Sequence, residues 1–298
     1  MIDTEAKRRF AEKVRAGDTQ ITFGCYDAMS AMLAEAAGAP AVMTSGFAVS
    51  ATHLGFPDVE LYTMTENLGV VRNVVNAVSV PVVADADTGY GNAINVMRTV
   101  REFEQAGICA MILEDQQAPK RCAAAANQLE IIPVFEHVAK IRAAVEARRD
   151  SNTLIIARTD AMSEAEAVDR AGAYVEAGAD IIQPISRTFS DIEGLKRMRA
   201  AVGVPLSLQI LGWLEKDLSL DQIREVAGLA CYPLVGLMTA AQAMKDNYAQ
   251  LVADGTTAGL PHPAMSMGDF KTFIGFDEIE ERQSRFLLMD LTPTAEAS

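Results

Sequence analysis

An α/β fold of the (β/α)8 TIM-type barrel class, with additional C-terminal helices, is what this sequence predicts, and three observations carry it. First, short apolar runs without polar alternation recur: Pro40-Ala41-Val42-Met43, Val80-Pro81-Val82-Val83-Ala84, Ile108-Cys109-Ala110-Met111-Ile112-Leu113 and Thr153-Leu154-Ile155-Ile156-Ala157. Such strands are buried on both faces, which means a parallel sheet covered by helices. Second, Glu35-Ala36-Ala37-Gly38, Glu104-Gln105-Ala106-Gly107 and Glu176-Ala177-Gly178 each hand a helical stretch directly to a strand. Glycine accepts the left-handed backbone past a helix end, so this junction is a repeated unit. Third, eight candidate strands occur with helical patterns between most of them, which favours a closed barrel over an open doubly wound sheet.

In chain order the strands are expected at 19–23, 41–44, 80–85, 108–114, 153–158, 179–183, 204–209 and 230–235. The second ends in Thr44-Ser45-Gly46, the third in Asp85-Ala86-Asp87-Thr88-Gly89-Tyr90-Gly91, the fourth in Glu114-Asp115 and the fifth in Arg158-Thr159-Asp160. No G-x-G-x-x-G follows the first strand, which weakens a dinucleotide-binding reading. At 298 residues and 50% hydrophobic, the chain can bury one large core, so 1–298 is expected to be a single barrel domain with no linker. Met265 to Leu288 has a helical pattern with Phe270, Phe273, Ile274, Phe276, Ile279 and Phe286 on it. A helical extension over 262–288 is therefore expected to pack on its own barrel or on a neighbouring subunit.

The net charge of -14 and the lack of a basic cluster argue against nucleic acid and anionic membrane surfaces as partners. No apolar run approaches the ~20 residues that span a bilayer, and the N-terminus lacks a signal-peptide layout, so a cytoplasmic location is expected. The four cysteines lack metal or disulfide spacing. Cys109 and Cys231 fall in strands as small core residues. Cys122 follows Lys120 and Arg121, two cations that favour its thiolate, in a loop beyond the Glu114 strand end. His53, His137 and His262 are isolated, and His137 is expected to pack or to lie on a helix surface.

The chemistry is expected where strands run out. Two carboxylates followed by a glycine-bearing turn supply hard oxygen ligands at a barrel rim, which suits a divalent cation such as Mg2+. Asp85-Ala86-Asp87-Thr88-Gly89-Tyr90-Gly91-Asn92, Glu114-Asp115-Gln116, Lys120-Arg121-Cys122 and Ile155-Ile156-Ala157-Arg158-Thr159-Asp160-Ala161 together resemble the successive signatures of the isocitrate lyase and phosphoenolpyruvate mutase superfamily. Lys120-Arg121-Cys122 is similar to its lyase branch, the 2-methylisocitrate lyase type. The resemblance runs from Tyr26-Asp27-Ala28-Met29-Ser30-Ala31 through Ser45-Gly46 and Leu54-Gly55-Phe56-Pro57-Asp58 to about Ala179-Asp180.

The resemblance implies Mg2+, or Mn2+, held by Asp85, with Asp87, Asp58 and Glu114 acting directly or through bound waters. It implies that Ser45 and Gly46 hold an α-keto carboxylate, that Arg158 neutralises developing negative charge, and that Lys120 and Cys122 are catalytic, with Cys122 moving a proton on the carbon fragment. Tyr26, Phe47, Gln183 and Gln209 complete the substrate surface, and a homotetramer exchanging a C-terminal helix is implied.

Three departures shape the substrate expectation. The Gly-His that usually follows Lys-Arg-Cys is Ala123-Ala124 here, the sixth-strand Glu is replaced within Gln183-Pro184-Ile185, and the seventh-strand Asn and Glu within Leu208-Gln209-Ile210-Leu211. A third carboxylate loses its partners, and Phe47, Ile185, Ile210 and Leu211 are expected to offer an apolar surface, with Trp213 either lining the pocket or packing in the barrel wall. The function expected is a Mg2+-dependent carbon-carbon lyase cleaving a substituted malate-like 2-hydroxy acid to pyruvate or glyoxylate and a carboxylate. An oxaloacetate decarboxylase or hydrolase of the same superfamily, and a non-catalytic metal-dependent binding barrel, are the alternatives.

Overall fold

In the computed structural model, which describes residues 3–121 and 129–287, eight parallel strands pair in chain order and the first closes on the last. The strands are β1 (Gln20–Cys25), β2 (Ala41–Thr44), β3 (Val82–Asp85), β4 (Ala110–Glu114), β5 (Leu154–Thr159), β6 (Ile181–Pro184), β7 (Leu206–Gln209) and β8 (Ala227–Tyr232). The helices are α1 (Thr4–Ala16), α2 (Ala28–Ala36), α3 (Gly46–Val49), α4 (Met64–Ala77), α5 (Ala93–Ala106), α6 (Val134–Ala147), α7 (Glu164–Glu176), α8 (Ile192–Val202), α9 (Trp213–Asp217), α10 (Leu220–Arg224), α11 (Val235–Asp254), α12 (Met267–Phe273) and α13 (Phe276–Phe286). The eighth strand lies three residues earlier than its sequence pattern suggested, because Pro233 cannot donate to the ladder and ends β8 at Tyr232.

The expected helix-to-strand junctions are present. Gly38, Gly107 and Gly178 take φ of 89°, 102° and 102°, backbone that a side chain would strain. Helix starts are as specific: Asp27 caps α2 in a reciprocal box with Ser30, and Asn92 caps α5 with Asn95.

The chain divides into two units, 1–239 and 240–298. In the first, two apolar layers hold the barrel. Between strands and helices lie Phe103, Met111, Leu113, Ile155 and Tyr174, all fully buried. Inside, Ala41, Met43, Ile112, Ile156 and Leu229 meet Phe10, Ala11 and Val14 of α1, which seals one end of the barrel. The approach is close enough that a Cβ on Gly228 would lie 2.6 Å from the Val14 carbonyl oxygen. Truncating a core position such as Ile155 to Ala costs about 2–5 kcal/mol. His137 is packed rather than on the surface: it is fully buried, 4.6 Å edge-on from Tyr174, and burial pushes its pKa down to about 3.

In the second unit the expected stretch from Met265 to Leu288 is two helices, broken where Gly275 adopts φ 86°. Neither α12 nor α13 buries a residue, and Met267, Ile274, Phe276, Ile279 and Phe286 are exposed. His262 is tied within this unit, its ring 3.0 Å from Asp246.

Candidate active site

The charged strand ends converge on one rim of the barrel. Asp85 closes β3 and Glu114 closes β4, while Arg158 lies next to the end of β5 and pairs in register with Glu114. Lys120 reaches in beside them. Its ammonium lies 2.6 Å from Asp87 Oδ1, 2.8 Å from Asp58 Oδ1 and 3.3 Å from Glu114 Oε1. The guanidinium of Arg158 spans Glu114 Oε2 at 2.9 Å and Asp160 Oδ1 at 2.8 Å.

The backbone that delivers these groups is strained. Glu60, Asp87 and Tyr90 have φ of 57°, 50° and 60°, left-handed conformations that a non-glycine residue keeps only where its surroundings impose them. Here the Tyr90 hydroxyl donates to Asp87 Oδ2 at 3.0 Å, and the Asn67 amide donates to both the Asp85 carbonyl and the Tyr90 oxygen. The Thr88 hydroxyl donates to Glu60 at 2.6 Å while Lys140 donates to the Thr88 carbonyl. Backbone strain is thus concentrated at three positions around one carboxylate cluster.

Electrostatically the cluster is short of positive charge. Burial first, and the charge of Asp87 second, raise the Asp85 pKa to about 6. Burial raises Glu114 to about 8 despite Arg158 and Lys120. Burial also pushes Asp87 upward, but Lys120 and the hydrogen bonds to it hold its carboxyl below the ordinary range. Lys120 and Arg158 stay charged, because their carboxylate partners outweigh the burial that disfavours the cation.

A divalent cation fits this donor set. Among the described residues, Asp58, Asp87 and Glu114 form ion pairs with Lys120 and Arg158, and Arg158 is shared with Asp160. Asp58 Oδ1 and both Glu114 carboxylate oxygens are buried without an aligned hydrogen bond, although cations stand within ion-pair distance. At Gly46 a Cβ would lie 2.9 Å from Asp85 Oδ2, so only glycine leaves that approach open. Among the described residues no three carboxylate, histidine or cysteine side chains are arranged to enclose a metal ion by themselves. Mg2+ does not require such an enclosure, since it is usually held by one or two carboxylates and keeps several waters in its shell.

Beside the cluster opens a cavity of about 430 Å3. Asp58, Asp85, Ser45, Phe47, Lys120, Arg158, Gln183 and Gln209 line it, while Asp87 and Glu114 sit in its wall behind Lys120. Gly46 contributes through its N–H, which donates to Asp85 Oδ2 at 3.0 Å, so that proton serves the carboxylate first. Tyr26 lies elsewhere: it follows the end of β1 immediately before the α2 cap and faces a surface groove with Met29 and His53. Cys122 lies outside the described residues.

The β6–β7 side is arranged differently. Gln183 Oε1 accepts from Ser207 at 2.8 Å and Gln209 at 3.3 Å, so the two amides are bound to each other. Ile185 and Leu211 line the cavity with Phe47. Ile210 does not, being 2% exposed and turned into the barrel-to-helix layer by strand-like alternation. Trp213 is absent from the lining as well: its indole N–H donates to the Ser186 carbonyl at 2.7 Å and pins the loop after β6. That loop presents Arg187, exposed, on the cavity wall, with no ion pair among the described residues. Nothing in the sequence distinguished Arg187 from a solvated surface charge. Its place depends on Trp213 and on Thr188, which donates to the Ala161 carbonyl at 2.6 Å.

The phosphoenolpyruvate phosphomutase family profile matches residues 10–251. A 2,3-dimethylmalate lyase from Eubacterium barkeri is 38% identical over 290 residues, covering 96% of this chain and 99% of that protein. A 2-methylisocitrate lyase from Aeropyrum pernix is 36% identical, covering 92% of this chain and 88% of that one. Among solved structures, a phosphonopyruvate hydrolase in complex with oxalate and Mg2+ superposes with a TM-score of 0.85 at 29% identity, covering 96% of this chain and 100% of that one.

Proposed function

This chain belongs to the phosphoenolpyruvate mutase and isocitrate lyase superfamily, and from that premise we propose that it is a Mg2+-dependent carbon-carbon lyase acting on an alkyl-substituted malate. The observation that carries the reading is the division of one cavity into two walls. One wall offers Asp85, Lys120, Arg158 and Ser45; the other offers Phe47, Ile185 and Leu211 beside the cation Arg187.

A malate-like dianion suits that division. Its 2-hydroxy carboxylate end faces the charged wall, where Ser45 and Arg158 bind it, and its second carboxylate meets Arg187. Asp85 would hold Mg2+ or Mn2+ directly, with Asp58, Asp87 and Glu114 assisting directly or through waters. The ion, when bound, supplies Lewis-acid polarisation at the hydroxyl or keto oxygen. A base takes the hydroxyl proton, Arg158 stabilises the alkoxide left behind, and Lys120 holds Asp58, Asp87 and Glu114 in place. Breaking the bond between C2 and C3 then yields the α-keto acid, pyruvate or glyoxylate, and a carbanion next to the second carboxylate. Arg187 draws that charge onto the carboxylate oxygens, an interaction strongest in the transition state. Cys122 delivers the proton that completes the carboxylate product.

Alkyl groups on the substrate lie against Phe47, Ile185 and Leu211, each buried methylene adding about 0.8 kcal/mol. A tricarboxylate would leave a further anion facing Gln183 and Gln209, whose amides are already engaged with each other. The test is turnover over KM, with Mg2+, for 2,3-dimethylmalate, 2-methylisocitrate, isocitrate and oxaloacetate side by side, with product identification. The reading requires 2,3-dimethylmalate to lead; best activity on 2-methylisocitrate or oxaloacetate overturns it.

The exposed apolar side chains of α12 and α13 support a homotetramer in which 262–288 packs on a neighbouring subunit. Light scattering at micromolar concentration returns a fourfold mass if so, and a monomer otherwise. No helix among the described residues is long and apolar enough to cross a membrane, and we place the enzyme in the cytoplasm.

A further inference from the structure

One residue beyond Glu114, Asp115 points to the opposite side of the strand, into the layer between the barrel and α7. It is fully buried and takes four hydrogen bonds. Oδ1 accepts from the Asp160 backbone N–H at 2.8 Å. Oδ2 accepts from the Tyr174 hydroxyl at 2.7 Å, the Thr159 hydroxyl at 2.9 Å and Arg170 Nη1 at 3.3 Å. Arg170 is itself braced, donating to the Ile132 carbonyl and to Glu166, both at 2.9 Å.

Two of these bonds come from the two residues that follow Arg158, Thr159 and Asp160. The Asp160 carboxylate they place accepts from Arg158 twice on one oxygen, at 2.8 Å from Nη2 and 3.2 Å from Nε, and from Gln116 on the other at 3.2 Å. Asp115 itself touches neither the cavity nor its carboxylate cluster. A guanidinium anchored only through Glu114 could swing about that contact; anchored at Asp160 as well, it has one orientation toward the cavity. Charge stabilisation in a transition state depends on such fixed orientation.

We propose that Asp115, with Arg170 and Tyr174, is a positioning residue that sets the orientation of Arg158 through Thr159 and Asp160. The role rests on the proposed contact between Arg158 and the reacting acid. Removing the negative charge of Asp115 leaves four donors around a neutral amide, one of whose two heavy atoms no longer accepts, and the Asp160 tether loosens.

The test is a double-mutant cycle in the full-length protein with Asp115→Asn, Arg158→Lys and the pair. It is read as kcat on the substrate that leads the panel, well below each variant's melting temperature. It is also read as Mg2+-dependent affinity for pyruvate by calorimetry, which needs no turnover. Asp115→Asn alone should lower kcat about 50-fold, and less than about threefold when Arg158 is already Lys. A merely structural role produces the same factor in both backgrounds and overturns the assignment. Should Asp115→Asn fail to fold, Tyr174→Phe removes one donor of the four; its loss of about fivefold should likewise vanish in the Arg158→Lys background. If Arg158→Lys turns over and binds pyruvate like the wild type, the proposed function and this role fall together. If Arg158→Lys is crippled and the factors multiply, only the role of Asp115 falls.

Discussion

The two walls of the cavity are built on opposite principles. At the ends of β3 and β4 the carboxylates are over-determined, held by buried cations, a tyrosine and an asparagine around three left-handed backbone positions. At the ends of β6 and β7 the polar groups are neutral amides that satisfy each other, and the one charge, Arg187, stands exposed on a loop pinned by Trp213. A wall that must hold concentrated negative charge needs rigidity, because every misplaced anion costs several kcal/mol in a buried site. A wall that discriminates between substrates needs only shape and one well-placed cation. The first is where the chemistry is expected and the second where selectivity is expected, and the two can be broken separately.

The largest effect belongs to the charged wall. Asp85→Ala removes the proposed direct metal ligand and should lower turnover by about a thousandfold or more with the far-ultraviolet circular dichroism unchanged. Full Mg2+-dependent turnover in that variant would move the metal elsewhere. Next, Cys122→Ser replaces a thiol of ordinary pKa about 8.5 with a far weaker acid, so kcat should fall about a hundredfold with KM little changed. Equal turnover across pH would favour the decarboxylase alternative.

On the other wall, Arg187→Gln should lower kcat/KM about 10- to 100-fold for a dicarboxylate while the Mg2+ concentration for half-maximal rate stays unchanged. A shift in Mg2+ dependence instead would show that the two walls are not separable.

The smallest effect is a pH dependence of stability. Asp85 and Glu114 have folded-state pKa values raised from the ordinary 3.8 and 4.5 to about 6 and about 8, so the folded protein binds protons more tightly than the unfolded chain. Their contribution to stability is full below the ordinary carboxylate range and is lost as pH rises toward 8. In chelator the melting temperature should therefore fall over that window. Added Mg2+ competes with those protons, so the rise in melting temperature it produces should be larger at pH 8 than at pH 5.5. A Mg2+ effect independent of pH would separate the ion from these carboxylates.

Much of the charged wall was legible in the sequence because its residues sit at strand ends. An apolar run emptying into Asp85, Glu114 or Arg158 leaves little choice of rim, and parallel strands of one barrel bring successive rims together. The opposite wall was harder to read. Gln183 and Gln209 were identified by position, but that they bond each other depends on the β6 and β7 strands lying side by side. Ile210 counted as lining until alternation turned it outward, and Trp213, read as either pocket lining or barrel wall, is a clamp on the Ser186 carbonyl. Arg187 carried no signal at all, since an exposed arginine in a loop looks the same whether it faces solvent or a cavity.

What the sequence determined by itself is therefore the barrel, its strand order and the residues at each strand end, because buried parallel strands and glycine-ended helices are local patterns with few solutions. Only the tertiary structure decided which side chains face one another. Lys120 among three carboxylates, Asp115 behind Arg158 and Arg187 over the cavity are contacts between segments far apart in the chain, set by register, loop anchoring and burial rather than by any local preference.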